Sequence, residues 1–395
     1  MELKKNEILK VKIDGCSGDG SGIARVNGLV VFVKGALRDE TCAIRILKVR
    51  KSMAFARVER VITASPMRRP PACPHFGICG GCAFWHMDYQ EELEIKRLHV
   101  EDTLKRIGGL ALPVPVILGA DAILKYRNKA QYPVSSGPEG VKIGFYRTRS
   151  HDVRQIDHCL IVNDAANAAA KAVRRWMTDA CIPAYEEKTG TGLIRHVFVR
   201  TNHLGESLIC LVANGEQLPK KDMLIALLRQ ACPSCSGILL SVNRAPGNVI
   251  LGKQFKLLWG KHYLTDQLFG LRFNLSVPSF YQVNREQTLR LYETAMQYAA
   301  LTGHETVLDL YCGTGTISLF MARRAGRVIG VEIVPEAIRD AKKNAASNSI
   351  QNVSFYCGDS GTAAKALRAE GLQPDVIIVD PPRKGLGPQA LDEIA

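Results

Sequence analysis

Acidic residues end three successive apolar runs in the last third of the chain. Residues 327–331 run into Glu332, residues 353–356 into Gly358-Asp359, and residues 375–379 into Asp380 of D-P-P-R. Upstream, residues 306–310 form a short apolar run, Gly313 and Gly315 bracket a tight turn just after Tyr311, and residues 317–322 carry helical spacing. This reads as a strand, a glycine loop and a helix, half of a doubly wound nucleotide-binding unit. In such sheets ligands bind beyond the carboxyl ends of the strands, and an acid about 20 residues past the glycine loop can take two ribose hydroxyls. The loop reads G-T-G-T-I-S and lacks the third glycine of a dinucleotide fingerprint. A ligand with a ribose and no pyrophosphate fits it better than NAD. Carboxylates gathered at one sheet edge suit a cation, and S-adenosylmethionine, which combines a ribose, an adenine and a sulfonium, meets each requirement. Gln282, in P-S-F-Y-Q-V-N ahead of an amphipathic helix that Asn284 and Gln287 cap, falls near the glycine loop.

A second constellation is built on sulfur. Cys73, Cys79 and Cys82 lie in C-P-H-F-G-I-C-G-G-C, where two glycines let the backbone fold tightly. Three thiolates so close in sequence would repel and oxidise if left alone, so the spacing points to a metal. A closed site needs a fourth ligand, and Cys159 in D-H-C-L-I is the best placed. The chemistry leaves a four-cysteine zinc site and a [4Fe-4S] cluster both open. The spacing C-x5-C-x2-C is not the C-x3-C-x2-C of radical enzymes, and four ligands with no open position read as structural. Cys232 and Cys235 form an isolated CxxC with no second pair, for which burial is the default.

The elements that must hold these residues follow from composition and pattern. The chain has 395 residues, 46% apolar content and a net charge of +14. That length allows two to four domains, and the charge favours a polyanionic partner. No apolar run approaches the roughly 18 residues of a membrane span, and no apolar signal core opens the chain. The expected compartment is the cytoplasm, where twelve cysteines argue for metal ligation or burial over disulfides. Residues 7–13, 29–33, 41–48 and 54–61 alternate as short strands, with Asn27-Gly28 as a hairpin turn, and residues 1–60 hold thirteen Lys or Arg against seven Asp or Glu. A basic barrel of this kind binds nucleic acid on one face. Residues 90–107 read as a helix that packs on either neighbour, and K-Y-R-N-K-A-Q-Y-P at 125–133 interleaves cations with aromatics, which suits phosphate contact and base stacking. Residues 193–214 and 236–252 read as two antiparallel hairpins of an α+β insert.

Taken together, C-x5-C-x2-C with Cys159, F-Y-Q-V-N at 280–284, D-L-Y-C-G-T-G at 309–315 and D-P-P-R-K-G at 380–385 resemble the RumA-type 23S rRNA (uracil-C5)-methyltransferases. The stretch G-x-G-x-G-I-A-R-x-N-G-L-V-V-F-V-K-G-A-L resembles a TRAM domain. The resemblance spans essentially the whole chain and implies three parts. Residues 1–62 are an OB-like TRAM barrel, residues 63–275 a central antiparallel α+β domain with the cluster, and residues 276–395 an α/β Rossmann-like methyltransferase domain. It implies that Cys73, Cys79, Cys82 and Cys159 hold a [4Fe-4S] cluster, and that Gln282, Tyr311, Gly313, Glu332, Asp359 and Asp380 contact S-adenosylmethionine. Thr316 stands where some members have asparagine.

Carbon 5 of uracil is a poor nucleophile, so a thiolate must first add to carbon 6, and a base must later remove the carbon 5 proton. The resemblance places that cysteine and a glutamate base downstream of D-P-P-R, beyond Ala395. Cys312 and Cys357 are poor substitutes by position, so no catalytic nucleophile is named. The expectation is a copy whose methyltransferase sheet lacks its last strands, a monomer that keeps cluster and 23S rRNA binding, binds cofactor weakly if at all and does not methylate. The barrel and the cysteines speak against the tRNA uridine-C5 methyltransferases, whose members lack both, and a non-catalytic RNA-binding iron-sulfur protein is the rival from another class.

Overall fold

Alternation of buried and exposed residues along six short strands builds the N-terminal module. A computed structural model describes residues 3–394. The strands are β1 (Ile8–Lys12), β2 (Gly15–Cys16), β3 (Gly22–Val26), β4 (Leu29–Lys34), β5 (Thr41–Val49) and β6 (Met53–Thr63). They form one sheet in the order β1-β5-β6-β4-β3-β2, antiparallel except where β4 lies parallel to β6. Val31, Val33, Ile44, Ile46 and Ala54 alternate into its interior and are fully buried. Glu40 is buried among them and survives as an ion because Arg68 forks onto it, with Nη2 at 2.8 Å, while the Leu37 N–H donates at 2.9 Å. Burial by itself would raise this carboxyl, but the Arg68 and Leu37 hydrogen bonds outweigh it and hold Glu40 below its ordinary range.

The helix expected over residues 90–107 is α1 (Tyr89–Arg106). Asp88 caps it by accepting from the Gln90 N–H, acids fill its first turn and Lys105 and Arg106 its last, as the helix dipole favours. Of its two expected neighbours it packs on the barrel: Ile95 is buried with Leu37 and Met87, and Arg38 pairs with the buried Glu91 at 3.0 Å.

Two compact units divide the chain, residues 3–121 with 145–156 and residues 122–144 with 157–394. The barrel and the Cys73-to-Cys82 loop thus share a unit, and Cys159 belongs to the other. The chain enters the second unit with β7 (Lys129–Gly137) and β8 (Gly140–Tyr146), and β9 (Val153–Gln155) belongs to the first. Next come α2 (Asp164–Asp179), β10 (Ile194–Thr201), β11 (Ser207–Ala213), α3 (Lys221–Ala231), β12 (Cys235–Val242) and β13 (Gln254–Gly260). Strands β13-β12-β11-β10-β7-β8 lie side by side.

The hairpin expected over residues 193–214 is β10–β11, but the rest of the insert is not purely antiparallel. β12 pairs parallel to β11, because α3 carries the chain back over the sheet before β12 begins. The partner returning along β12 is β13, which begins after Gly252 rather than within residues 236–252. Gly252 lies so close to the Val242 carbonyl that a Cβ would come within 1.7 Å of its oxygen, so the segment between the strands is a tight connection.

The hairpin β14 (Leu264–Leu268) and β15 (Leu271–Leu275) leads into the last domain. There α4 (Arg285–Ala299), β16 (Thr306–Leu310), α5 (Thr316–Met321), β17 (Arg327–Glu332), α6 (Pro335–Ser347), β18 (Val353–Cys357), α7 (Ser360–Ala369), β19 (Val376–Val379) and α8 (Pro388–Ile394) alternate. The four strands form an all-parallel sheet in the order β18-β17-β16-β19. β16 is central and buried, as a continuous apolar run demands. Among the described residues no helix is long and apolar enough to cross a membrane.

Candidate functional site

The strand order reverses at β16: β17 and β18 lie on one side of it and β19 on the other. This is the switch point at which open α/β sheets take ligands. The loop leaving β16 is built from left-handed backbone. Tyr311, Gly313 and Gly315 have φ of 67°, 55° and 78°, a region that suits glycine and strains the tyrosine. Gly315 also has a packing reason, since a Cβ there would sit 2.8 Å from the Phe355 ring. Around Gly313 the space is open.

Glu332, at the end of β17, ties this loop to its own following turn. Its Oε2 accepts from the Gly313 N–H at 3.2 Å and its Oε1 from the Val334 N–H at 2.9 Å. On the other side of β16, Asp380 follows β19 and accepts from Gln282 Nε2 at 3.1 Å. The segment carrying Gln282 is stitched to β7, because Asn128 Nδ2 donates to the Gln282 carbonyl at 2.8 Å and the Asn128 N–H to the Val283 carbonyl at 2.9 Å. Just ahead of it the Tyr281 hydroxyl donates to the buried Asp266 at 2.9 Å. Behind it Asn284 caps α4 as expected, accepting from the Gln287 N–H at 3.2 Å.

Two pairs of expected residues are therefore brought together, Gly313 with Glu332 and Gln282 with Asp380. Asp359 stands at the end of the β18 segment, but its Oδ1 accepts from the Thr362 N–H and hydroxyl and so caps α7. Thr316 meets the buried Tyr292, hydroxyl to hydroxyl at 2.8 Å.

Asp309 is the residue that sequence reasoning missed. It is buried at the root of the loop, where Ser318 Oγ, on α5, donates to its Oδ2, while its Oδ1 has no partner. Burial pushes this carboxyl up to about 7 against the pull of the Ser318 hydrogen bond, and the charges of Asp380 and Glu332 add to the rise. The only signal was an acid inside an apolar strand nine residues before a serine. Asn344 on α6 is also buried and donates to the Thr314 carbonyl at 3.2 Å, which fixes the loop from a second helix.

The thiols near the loop are unlike nucleophiles. Cys312 is buried, and burial together with Asp309 and Glu332 pushes its thiol far up. Cys357 is exposed and rests against the Ile333 carbonyl.

The metal cluster expected from the cysteine spacing finds no support in the structure. Among the described residues no group of three or more His, Cys, Asp or Glu side chains is placed to hold a metal ion. Cys73, Cys79 and Cys82 are half-buried along a chain of turns, in which the Phe76 N–H donates to the Cys73 carbonyl, the Cys79 N–H to the His75 carbonyl, and Gly81 N–H to Cys79 Sγ at 3.4 Å. Cys159, in the second unit, presents its N–H to Asn167 Oδ1 at 2.9 Å. Cys232 and Cys235 are buried with their thiols pushed up by that burial, as the default for a lone CxxC holds.

A parallel sheet with a glycine loop at its switch point and strand-end acids around it defines a nucleoside-binding methyltransferase fold. Comparison with known proteins agrees. Residues 301–391 match the methyltransferase domain family and residues 2–58 the TRAM domain family. The chain is 43% identical to an uncharacterized RNA methyltransferase of Halalkalibacterium halodurans, over 97% of this chain and 84% of that one. It is 41% identical to one of Clostridium acetobutylicum, over 100% and 86%. The chain belongs to this family of S-adenosylmethionine-dependent RNA methyltransferases with a TRAM domain. Among solved structures it is similar in fold to the tRNA (uracil-54, C5)-methyltransferase of Pyrococcus abyssi in complex with S-adenosyl-L-homocysteine, at a TM-score of 0.76 and 22% identity over 98% of this chain and 87% of that one.

Proposed function

We propose that this chain binds S-adenosylmethionine at the β16 loop and serves methylation of carbon 5 of a uridine in structured RNA, with 23S rRNA as its substrate. The observation that carries the reading is the Glu332 carboxylate hydrogen-bonded to the glycine loop at Gly313, with Gln282 and Asp380 paired at the switch point. The residues fit the cofactor: Glu332 takes the ribose hydroxyls, Asp359 faces the adenine side, and Asp380 with Gln282 supplies negative charge and an amide at the sulfonium side. Tyr311 and the Gly313 N–H complete the wall. When bound, S-adenosylmethionine supplies an electrophilic methyl group. The chain's own residues orient it, and Asp309, buried and pushed up, holds the loop through Ser318. Neither Cys312 nor Cys357 is assigned as the thiol that adds to carbon 6, the first because of its burial and the second because of its place beside the adenine acid.

A second substrate has a specific observation behind it. The fold likeness to a tRNA (uracil-54, C5)-methyltransferase covers 98% of this chain and so includes the barrel. Possession of the barrel therefore does not separate rRNA from tRNA, which removes one argument against a tRNA substrate.

Calorimetric titration with S-adenosylhomocysteine tests the cofactor half. Glu332→Gln loses hydrogen bonds to a charged acceptor worth about 1.5–3 kcal/mol, so affinity drops by roughly tenfold or more. An unchanged affinity removes Glu332 from the site. For the substrate half, mass spectrometry of 23S rRNA and tRNA transcripts after incubation with enzyme and S-adenosylmethionine reports which of them acquires 5-methyluridine.

A further inference from the structure

The sheet that anchors Gln282 carries an unbalanced cluster of cations. In the β7–β10 pairing Arg200 lies directly opposite Lys129, so the two side chains share one face of the sheet. Like charges in that relation destabilise a sheet unless something neutralises them. Arg127, two residues ahead of Lys129, adds a third positive charge, and its backbone bridges to Asn284 of the F-Y-Q-V-N segment.

Among the described residues none of the three has an ion-pair partner on this face, and the Arg200 guanidinium lies 5.7 Å from the centre of the Phe198 ring. Arg200 is 1% exposed, its Nη2 donates to the Ser279 carbonyl, and its Nε and Nη1 have no partner. Its neighbour on the other side, across β11, is Leu208. The charged group it feels is Asp266, together with the Tyr281 hydroxyl. That carboxylate is already committed to four donors: the His203 N–H, His203 Nδ1, the Gln267 N–H and Tyr281. Lys129 is half-buried, and burial together with Arg200 and Arg127 pushes its ammonium down to about 8. By contrast Lys125, in the same basic stretch, is neutralised by Asp164 at 2.6 Å. The cationic face is therefore local, and it lies one residue to either side of Asn128, whose side chain holds Gln282.

We propose that this end of the sheet is a phosphate seat: Lys129 and Arg127 take one backbone phosphate of bound RNA next to the cofactor-binding segment, with Arg200 beneath them as a buried positive charge. The proposal rests on the RNA substrate proposed above. Arg200 acts through its field and Lys129 by contact, so binding of the phosphate relieves the repulsion built into the β7–β10 pair.

Fluorescence anisotropy of a labelled uridine-bearing RNA hairpin, measured across a series of KCl concentrations, tests it. Lys129→Gln weakens binding at least fivefold and lowers the slope of log affinity against log salt by about 0.7–0.9, the release expected for one lost phosphate contact. Lys129→Arg restores both, and Lys125→Gln changes the slope by less than half as much. Without RNA, Lys129→Gln melts at least as high as the wild type, because repulsion has been removed. A wild-type slope and affinity in Lys129→Gln overturns the seat while RNA binding by the protein stands. Loss of S-adenosylhomocysteine affinity with RNA affinity intact also overturns it, since the anion would then be the cofactor's carboxylate. Failure of the wild type to bind any RNA overturns the substrate reading itself, and the seat with it.

Discussion

At the scale of single residues, the proposed site divides into side chains offered to the cofactor and one turned into the protein. The strand-end positions of Glu332 and Asp380 were legible from strand periodicity, and Gln282 from its place just ahead of α4. Asp309 was not, because its role depends on a burial that only the packed loop creates. Its sign with pH is unusual for an acid. The folded carboxyl sits at about 7, above its ordinary value near 4, so the native state holds the proton more tightly than the unfolded chain does. Its contribution is full below about pH 4 and is lost as pH rises through 7, a loss on the order of 4 kcal/mol by linkage. Asp309→Asn keeps a neutral acceptor for Ser318 and has no proton to lose. In denaturant titrations the variant should therefore match the wild type near pH 4 and exceed it by a few kcal/mol at pH 8. Parallel curves across that range would show that Asp309 is ionised at neutral pH after all.

At the scale of elements, the positions of strands and helices in the methyltransferase domain were readable from periodicity, and their pairing was not. The order β18-β17-β16-β19 follows from right-handed crossovers of parallel strands. In the insert the sequence was read as hairpins because turn residues separate the strands, but α3 lies between β11 and β12 and converts that pair to parallel. α2 was not foreseen: five of its first seven residues are alanines, so its buried face shows little contrast until Val173 and Trp176. The cysteine loop had no periodicity to read: spacing gives how far apart the three thiols lie along the chain, and the structure places no metal-holding group there. Capping was legible, and it gives a prediction. Asn284 closes α4 and also ends the segment that bears Gln282, so Asn284→Ala should cost about 1 kcal/mol in urea denaturation. Because the same cap aligns Gln282 with Asp380, S-adenosylhomocysteine affinity should fall several-fold as well. A stability loss with unchanged affinity would confine Asn284 to the helix.

At the scale of the whole molecule, the two compact units carry buried acids of opposite sign. In the first, Glu40 is held below its ordinary value by Arg68, so its contribution is present above that value and is lost as pH falls through the depressed one. In the second, Asp309 contributes below its ordinary value and its contribution is gone above 7. Acid should therefore loosen the barrel while it steadies the cofactor loop, and mild alkali should do the reverse. Hydrogen exchange followed by mass spectrometry, corrected for intrinsic rates, separates the two. Peptides over residues 40–63 should lose protection below about pH 4, and peptides over residues 306–320 should lose it between about pH 4 and 8. Two variants assign the causes. Arg68→Met leaves Glu40 buried without its partner, a loss of about 3–5 kcal/mol, and should lower barrel protection at every pH above 4 while sparing the loop. Asp309→Asn should flatten the loop's pH response and leave the barrel's untouched. If both sets of peptides lost protection at the same pH in the wild type, the molecule would be opening as one cooperative body, and neither buried carboxyl would set its acid or alkaline limit.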